Sequence, residues 1–179
     1  KLENKNKNKK NLKEIALSKT FKLEKILPLI NYGHLDYGEN KVQEAVEKWT
    51  EIKEKKTNLK LHLIGKLQTN KVKHAIKIFD FIHSVDSKKL AKKIADEQSK
   101  FGKNVKIFLQ VNLDNETQKS GVSKEELENL FEYCRKIGLN VLGLMCIPPN
   151  NVDPNPFFED LKNLNDKFGL PELSMGMSS

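Results

Sequence analysis

The stretch Val105-Lys106-Ile107-Phe108-Leu109-Gln110-Val111 is the clearest strand in the sequence, because it is apolar and rich in β-branched residues. The helical pattern that follows, Ser123 to Ile137, begins with Ser123 and Glu126 at capping-box spacing. Gly138, a residue typical of helix C-termini, comes directly after it. Leu139 to Met145 is again apolar. A strand, a helix and a second strand in this order predict a βαβ unit with parallel strands.

The same alternation extends in both directions from this unit. Five further strands are predicted at Glu14 to Leu17, His34 to Tyr37, Leu59 to Ile64, Phe81 to Val85 and Leu173 to Met175. Five further helices are predicted at Leu23 to Ile30, Lys41 to Lys53, Asn70 to Ile78, Ser87 to Gln98 and Pro156 to Phe168. We expect Ser87 to be an N-cap, the first strand to be buried, and Pro28 to kink or shorten the first helix.

Alternating strands and helices predict a parallel sheet covered by helices, which is either a doubly wound sheet or a (β/α) barrel. A doubly wound nucleotide-binding domain would carry a Gly-rich loop after its first strand. Here Ser18-Lys19-Thr20 follows that strand, and no G-x-G-x-x-G or P-loop motif occurs. We therefore predict an α/β fold, a (β/α)8 TIM barrel. Because complete barrels have about 250 residues and this sequence has 179, we expect the eighth strand to be absent.

The predicted organisation is a polar leader at residues 1–11, expected to be flexible, and one barrel domain at residues 12–179.

The net charge of +8 suggests a nucleic-acid partner, but the lysines are spread along the chain and Arg135 is the sole arginine, which argues against one. No apolar run approaches the length of about 18 residues that spans a membrane. Cys134 and Cys146 have neither metal-ligand nor disulfide-scaffold spacing, so we expect no metal site and a reducing, cytoplasmic setting.

Candidate functional residues are those that end or follow strands, because the active site of a (β/α) barrel lies at the C-terminal ends of its strands. They are Lys19, Glu39, Asn40, Gly65 to Asn70, Ser84, Asp86, Asn112, Met145 and Ser174 to Ser179. Lys19 stands out because it comes directly after an apolar strand. Partial removal of such an amine from water favours the neutral form that attacks carbonyl groups and forms imines. A lysine at a strand end can also simply extend into solvent.

Two further patterns have both a functional and an ordinary interpretation. Ser174 to Ser179 combines small residues with hydroxyls directly after a strand, and its backbone N–H groups can form a phosphate cradle or an ordinary turn. His62 lies between Leu61 and Leu63 inside a strand, which is typical of a core histidine that is hydrogen-bonded by its neighbours.

Eight short motifs occur in an order and spacing typical of one known family. They are Ala16-Leu17-Ser18-Lys19-Thr20, Tyr37-Gly38-Glu39-Asn40-Lys41-Val42-Gln43-Glu44-Ala45, His62-Leu63-Ile64-Gly65-Lys66-Leu67-Gln68-Thr69-Asn70-Lys71, Ile82-His83-Ser84-Val85-Asp86, Gln110-Val111-Asn112, Lys119-Ser120-Gly121, Gly143-Leu144-Met145 and Ser174-Met175-Gly176-Met177-Ser178. From about Leu12 onward the chain resembles the pyridoxal phosphate homeostasis proteins (the YggS/PROSC family). The resemblance implies an alanine-racemase-like barrel that carries pyridoxal 5′-phosphate (PLP).

The resemblance also implies which residues hold the cofactor. Lys19 matches the family's Schiff-base lysine, and Ser174 to Ser178 match its phosphate-binding turn. The implied cofactor-binding residues are Lys19, Asn40, His62, Gly65, Asn70, Met145, Ser174, Met175, Gly176 and Ser178. The chain departs from the family at two points. The family's Arg-Ile-Gly-Thr phosphate segment has no counterpart, and Phe21 stands where a second lysine is common, so the chain lacks that second amine.

For function, the resemblance implies a monomeric, non-catalytic carrier that keeps PLP and the linked amino-acid pools in balance, with PLP-dependent apo-enzymes as candidate recipients. The related racemases place a tyrosine base from an additional β domain on the opposite face of the cofactor, and this chain has no room for that domain. Two alternatives stay open. One is a small PLP-dependent racemase or decarboxylase that works with one base, and the other is a chain that binds no cofactor because its barrel is incomplete.

Overall fold

The computed structural model describes residues 12–114 and 120–176, whose strands form one parallel sheet in the order β1-β2-β3-β4-β5-β6-β7. The strands are β1 Ala16–Leu17, β2 Asp36–Glu39, β3 Lys60–Leu63, β4 Phe81–Val85, β5 Lys106–Gln110, β6 Asn140–Cys146 and β7 Glu172–Met175. The helices are α1 Leu23–Tyr32, α2 Val42–Lys55, α3 Val72–Ile78, α4 Lys88–Phe101, α5 Lys124–Lys136 and α6 Asn155–Lys167, and a 3-10 turn, Thr69–Lys71, precedes α3.

Sequential strand order distinguishes a (β/α) barrel from a doubly wound sheet, in which the order reverses at a switch point. The predicted barrel type is therefore confirmed. Seven strands lie in the described part of the chain, where β1 pairs with β2 alone and β7 with β6 alone, so the sheet is open as expected. Among the residues that the structure describes, no helix has the length and apolar composition needed to cross a membrane.

Local signals at the helix ends are confirmed. Ser87 accepts a hydrogen bond from the N–H of Leu90 at the start of α4, and Ser123 accepts one from the N–H of Glu126 at the start of α5. Gly138, after α5, has a φ of +75°, which glycine adopts without the steric cost that other residues meet.

Two predictions about the first two βα units are wrong, and one of the two alternatives for Pro28 is excluded. β1 is not buried, since Leu17 is 46% exposed at an edge of the sheet. β2 lies two residues later than predicted, because the polar Glu39 is buried behind the sheet rather than ending the strand in solvent. Pro28 does not shorten α1, which continues to Tyr32 because buried residues on both sides of the exposed proline, Ile26 and Ile30, hold it against the core.

The core has two parts, which follow from the alternation of side chains along each strand. The larger part lies between the sheet and the helices and includes Trp49, Leu61 and Ile107, all less than 2% exposed. The smaller part fills the inside of the curved sheet with Phe81, Phe108 and Met145. This inner cluster forms the floor below the ends of the strands.

Candidate functional site

The C-terminal ends of the strands share one rim, because every neighbouring pair is parallel. We call the residues that end or follow the strands at this rim the mouth. Lys19 comes after β1, Asn40 after β2 and Gly65 after β3, and Ser174 of β7 is paired with Met145 of β6. The structure thus places these predicted residues at the same end of the sheet.

The loops after β2 and β3 are in direct contact at the mouth. A Cβ atom added at Gly65 would lie 2.2 Å from the carbonyl oxygen of Asn40. The carbonyl oxygen of Gly65 accepts a hydrogen bond of 2.7 Å from the hydroxyl of Ser84. Glycine at position 65 therefore permits a close approach of two backbones that any side chain would prevent.

Lys19 is partly buried, and the backbone on both sides of it is held. Ser18 is buried, and its N–H donates to the carbonyl oxygen of Gly38 at 3.0 Å. Thr20 has a φ of +68°, a conformation that a β-branched residue rarely adopts. The sheet on one side and this tight turn on the other fix where the side chain of Lys19 begins.

Next to the residue that precedes Lys19 lies the buried carboxylate of Glu39, one of the candidate residues predicted at the end of the second strand. Glu39 is fully buried, and its Oε1 accepts hydrogen bonds from the Ser18 hydroxyl at 2.7 Å, Lys48 Nζ at 2.8 Å and Trp49 Nε1 at 2.8 Å. Lys48 Nζ also donates to the carbonyl oxygen of Ser18 at 2.8 Å. Helix α2 is thereby joined to the residue that precedes Lys19.

A second polar network runs through the inner cluster from the opposite end of the sheet to the mouth. Asp36 Oδ1 lies 2.9 Å from His62 Nε2, His62 Nδ1 lies 2.9 Å from His83 Nε2, and His83 Nδ1 lies 2.7 Å from the Ser174 hydroxyl oxygen. We call these four residues the relay.

Ring stacking holds the two histidines of the relay in place. His62 stacks on Phe81 with ring centroids 4.2 Å apart, and His83 stacks on Phe108 at 4.4 Å. Burial lowers the pKa of His83 to about 3, with a smaller contribution from His62. Burial also lowers the pKa of His62, although its hydrogen bond to Asp36 acts in the opposite direction. Both rings are therefore neutral at neutral pH.

The lowered pKa of His83 makes stability depend on pH, and the sign follows from proton binding. Between about pH 6.5 and about pH 3 the unfolded chain binds a proton at this histidine that the folded chain does not bind, so folding weakens as the pH falls. We expect His83 alone to reduce the free energy of unfolding by about 2 kcal/mol between about pH 7 and about pH 5.

Urea unfolding at these two pH values checks this expectation. The His83→Gln variant should lose the part of about 2 kcal/mol that His83 contributes and keep the part from His62, whose pKa burial also lowers. His74→Gln, at an exposed histidine, should keep the full pH dependence. An equal dependence in the His83 variant and the unmodified protein would contradict the assignment.

The remaining predicted residues occupy different depths. Asn70 is exposed in the 3-10 turn after β3, and Met175 is 45% exposed at the end of β7. Met145 is 2% exposed within the inner cluster, and His62 lies below the mouth with both ring nitrogens hydrogen-bonded. Ser178 lies outside the described residues.

Sequence reasoning missed Asp36, His83, Ser18 and Lys48 as members of these networks. One signal was available for His83, which like His62 interrupts an apolar strand. The strand register that brings the two rings together could not be read from either segment alone. Lys48 carried no signal, because a lysine on an amphipathic helix usually faces solvent. Within the two described ranges, no group of three or more His, Cys, Asp or Glu residues is arranged to hold a metal ion.

Comparison with known proteins gives a consistent result. The family model described as alanine racemase, N-terminal domain, matches residues 14–178. The pyridoxal phosphate homeostasis protein of Aquifex aeolicus is 41% identical over 176 residues, which cover 93% of this chain and 76% of the relative. The protein of the same description from Escherichia coli is 31% identical over 174 residues, covering 92% and 74%.

Solved structures show the same similarity. PipY of Synechococcus elongatus, solved with PLP bound, superimposes with a TM-score of 0.85 at 32% identity and covers 94% of this chain and 82% of its own. An alanine racemase of Clostridium difficile superimposes with a TM-score of 0.68 at 14% identity, covering 93% of this chain and 47% of its own. This more distant likeness shows the fold alone.

Proposed function

Because the chain belongs to the pyridoxal phosphate homeostasis proteins, within the alanine racemase N-terminal domain family, we propose that it binds PLP through Lys19. Its role is PLP homeostasis, in which the protein holds and releases the cofactor and does not use it for catalysis. The observation that carries this proposal is a partly buried lysine that follows β1 at the mouth and whose backbone is fixed by the neighbouring residues on both sides.

The residues present fit this cofactor. PLP supplies an aldehyde that forms an imine bond with an amine. Lys19 would hold the group through Nζ, where the neutral amine would give up both of its hydrogens and the aldehyde its oxygen, which would leave together as water. Ser18 on one side and Thr20 on the other hold the lysine backbone. The backbone therefore loses little additional conformational entropy when Lys19 is anchored.

The end of β7 has open space in which the phosphate group would fit. A Cβ atom at Gly176 would make no contact closer than 3.5 Å, to Ile147 Cγ1, and the N–H of Gly176 donates to the carbonyl oxygen of Cys146 at 3.1 Å. We assign Ser174, Met175, Gly176 and Ser178 to the phosphate. Asn40, Gly65 and Asn70 are assigned to the mouth around the ring, with Met145 and His62 in the floor below it.

The positions of the tyrosines support a carrier rather than a racemase. Racemisation needs a proton-transferring group on each face of the cofactor. Tyr37 is buried in the outer core, its hydroxyl donating to the carbonyl oxygen of His34. Tyr32 and Tyr133 lie on the helices α1 and α5, outside the sheet. None of these three tyrosines, the full number in the sequence, lies at the mouth opposite Lys19.

The cofactor leaves by the reverse reaction or by exchange with another amine, and PLP-dependent apo-enzymes are the proposed recipients. Two buried free thiols, Cys134 and Cys146, support a reducing, cytoplasmic location.

Replacing Lys19 by alanine is expected to abolish covalent attachment of PLP. The purified protein is mixed with PLP, its absorbance spectrum is recorded, and borohydride is added to make the bond permanent. Mass spectrometry should then find one reduced cofactor on the unmodified protein, at Lys19, and none on Lys19→Ala. Lys22→Ala is the matched control, because Lys22 is an exposed lysine three residues further on.

Three different outcomes would each contradict a different part of the proposal. An unmodified protein without cofactor would contradict PLP binding itself, and label on another lysine would contradict Lys19 as the anchor. Exchange of the α-hydrogen of an added amino acid for deuterium, with turnover, would show an enzyme and contradict the carrier role.

A further inference from the structure

The relay ends on Ser174, which belongs to the proposed phosphate turn, and begins on Asp36 at the other end of the sheet. The side chain of Asp36 is 15% exposed and lies 3.6 Å from Lys13 Nζ, whereas that of His62 is 2% exposed. His83 is 1% exposed. A continuous line of hydrogen bonds therefore joins solvent at the N-terminal ends of the strands, where Asp36 begins β2, to the mouth.

The carboxylate of Asp36, at one end of the relay, sets the direction of every hydrogen bond in it. An ionised carboxylate can only accept, so His62 Nε2 carries a hydrogen and donates to Asp36. A neutral histidine has one N–H, so His62 Nδ1 accepts from His83 Nε2. His83 Nδ1 must then accept from the hydroxyl of Ser174. The only hydrogen of the Ser174 hydroxyl thus points away from the mouth.

This direction has a consequence for an anion. The hydroxyl oxygen of Ser174 presents only lone pairs to the mouth, and a phosphate dianion also presents only acceptors. For Ser174 to donate to a phosphate while the relay stays hydrogen-bonded, the bonds between Ser174 and His83 and between His83 and His62 must reverse. His83 then donates from Nδ1 to Ser174 and His62 donates from Nδ1 to His83. His62 Nε2 can keep its own hydrogen toward Asp36 only if the pair of Asp36 and His62 takes up one proton.

We propose that the relay couples phosphate binding at the β7 turn to the uptake of one proton by the pair of Asp36 and His62. Before binding, the relay holds three exchangeable hydrogens, on Ser174, His83 and His62. After reversal it holds four, and the additional one, taken from solvent, is shared within the hydrogen-bonded pair of Asp36 and His62. If the phosphate itself carries the hydrogen and donates it to Ser174, one proton is again taken up. This inference rests on the proposed function, because it needs a phosphate at the turn.

Other charged groups lie at the same end of the sheet as Asp36. Lys13 and Lys106 lie over the Phe81 ring with Nζ 5.5 Å and 5.2 Å from its centroid, and Lys60 Nζ is 3.7 Å from Asp80 Oδ1. The charge of Lys13, whose Nζ lies 3.6 Å from Asp36 Oδ1, is therefore tested below with its own control variant.

The first test needs no ligand. Long-range nitrogen–proton NMR correlation on the unliganded protein should show His62 and His83 both as the Nε2–H tautomer at neutral pH. An Nδ1–H tautomer or a charged ring at either position would overturn the inference, whatever the protein binds.

The second test uses pyridoxine 5′-phosphate, which lacks the aldehyde and so does not react with Lys19. Calorimetric titration in two buffers with different ionisation enthalpies measures the protons taken up. We expect one proton, and a dissociation constant that rises about tenfold per pH unit above about pH 7. Asp36→Asn should remove both effects, because an asparagine side chain can either accept from His62 or donate to it without a change in charge.

Lys13→Gln is the matched control, since it removes the charge beside Asp36 but keeps the carboxylate that sets the direction of the relay. It should shift the affinity at every pH and keep the slope. Binding without proton uptake, or equal uptake in the Asp36→Asn variant, would overturn the coupling and leave the proposed function in place. A probe that does not bind would contradict the phosphate site, and the coupling with it.

Discussion

Replacing Gly65 by alanine is expected to destabilise the protein by more than about 2 kcal/mol, near the upper part of the range for overpacked sites. The new Cβ would lie 2.2 Å from the carbonyl oxygen of Asn40 and 2.8 Å from its carbonyl carbon, so two backbone segments must separate. Separation also moves Asn40 within the mouth. We therefore expect the variant to lose affinity for PLP as well as stability.

Urea unfolding of Gly65→Ala beside Gly176→Ala tests this expectation. A Cβ at Gly176 makes no contact closer than 3.5 Å, so we expect that change to alter the free energy of unfolding by less than about 0.5 kcal/mol. Gly65→Ala with the stability of the unmodified protein would show that the two loops can move apart freely, and would contradict a fixed mouth.

Replacing Lys48 by methionine should cost about 3–5 kcal/mol, the range for removing one partner of a buried ion pair. Glu39 is fully buried, and the side chain of Lys48 is 12% exposed. Without Lys48 the carboxylate keeps only the neutral donors Ser18 and Trp49, while its Oε2 has no hydrogen-bond partner within the described part of the chain. Because Ser18 also loses a hydrogen bond to its carbonyl oxygen, we expect Lys19 to be less well positioned and PLP binding to weaken.

The matched control is Lys41→Met, which removes the exposed partner of Glu44 just before the same helix. Because solvent screens an exposed ion pair, this variant should unfold almost as the unmodified protein does. Adding Glu39→Gln to Lys48→Met should recover part of the lost stability, because it removes the uncompensated charge. A Lys48→Met variant within about 1 kcal/mol of the unmodified protein would show that water replaces the amine, and would contradict a tight network.

The predicted positions of the secondary-structure elements came from local signals, and these were sufficient for the type of fold. Hydrophobic periodicity marked all seven strands and the helices between them, and β4 was predicted at its observed bounds, Phe81–Val85. Ser87 and Ser123 cap helices as expected, because a cap involves residues only three positions apart. Lys19 and the turn at Ser174 were selected from sequence because each follows a strand.

Tertiary structure decided what lies around those residues. The pairing of strands turned His62 and His83 into a relay that ends on Ser174, and the packing of α2 against the sheet buried Glu39 against Lys48. The sequence by itself therefore determined the order of the elements and the barrel type, and it singled out Lys19 as the candidate anchor, because these depend on patterns along the chain and not on contacts between segments. The two buried networks depend on strand register and helix packing between segments at least nine residues apart, and in one case 91 residues apart. The hydrogen-bond partner of such a charged or polar side chain is therefore known only from the tertiary structure.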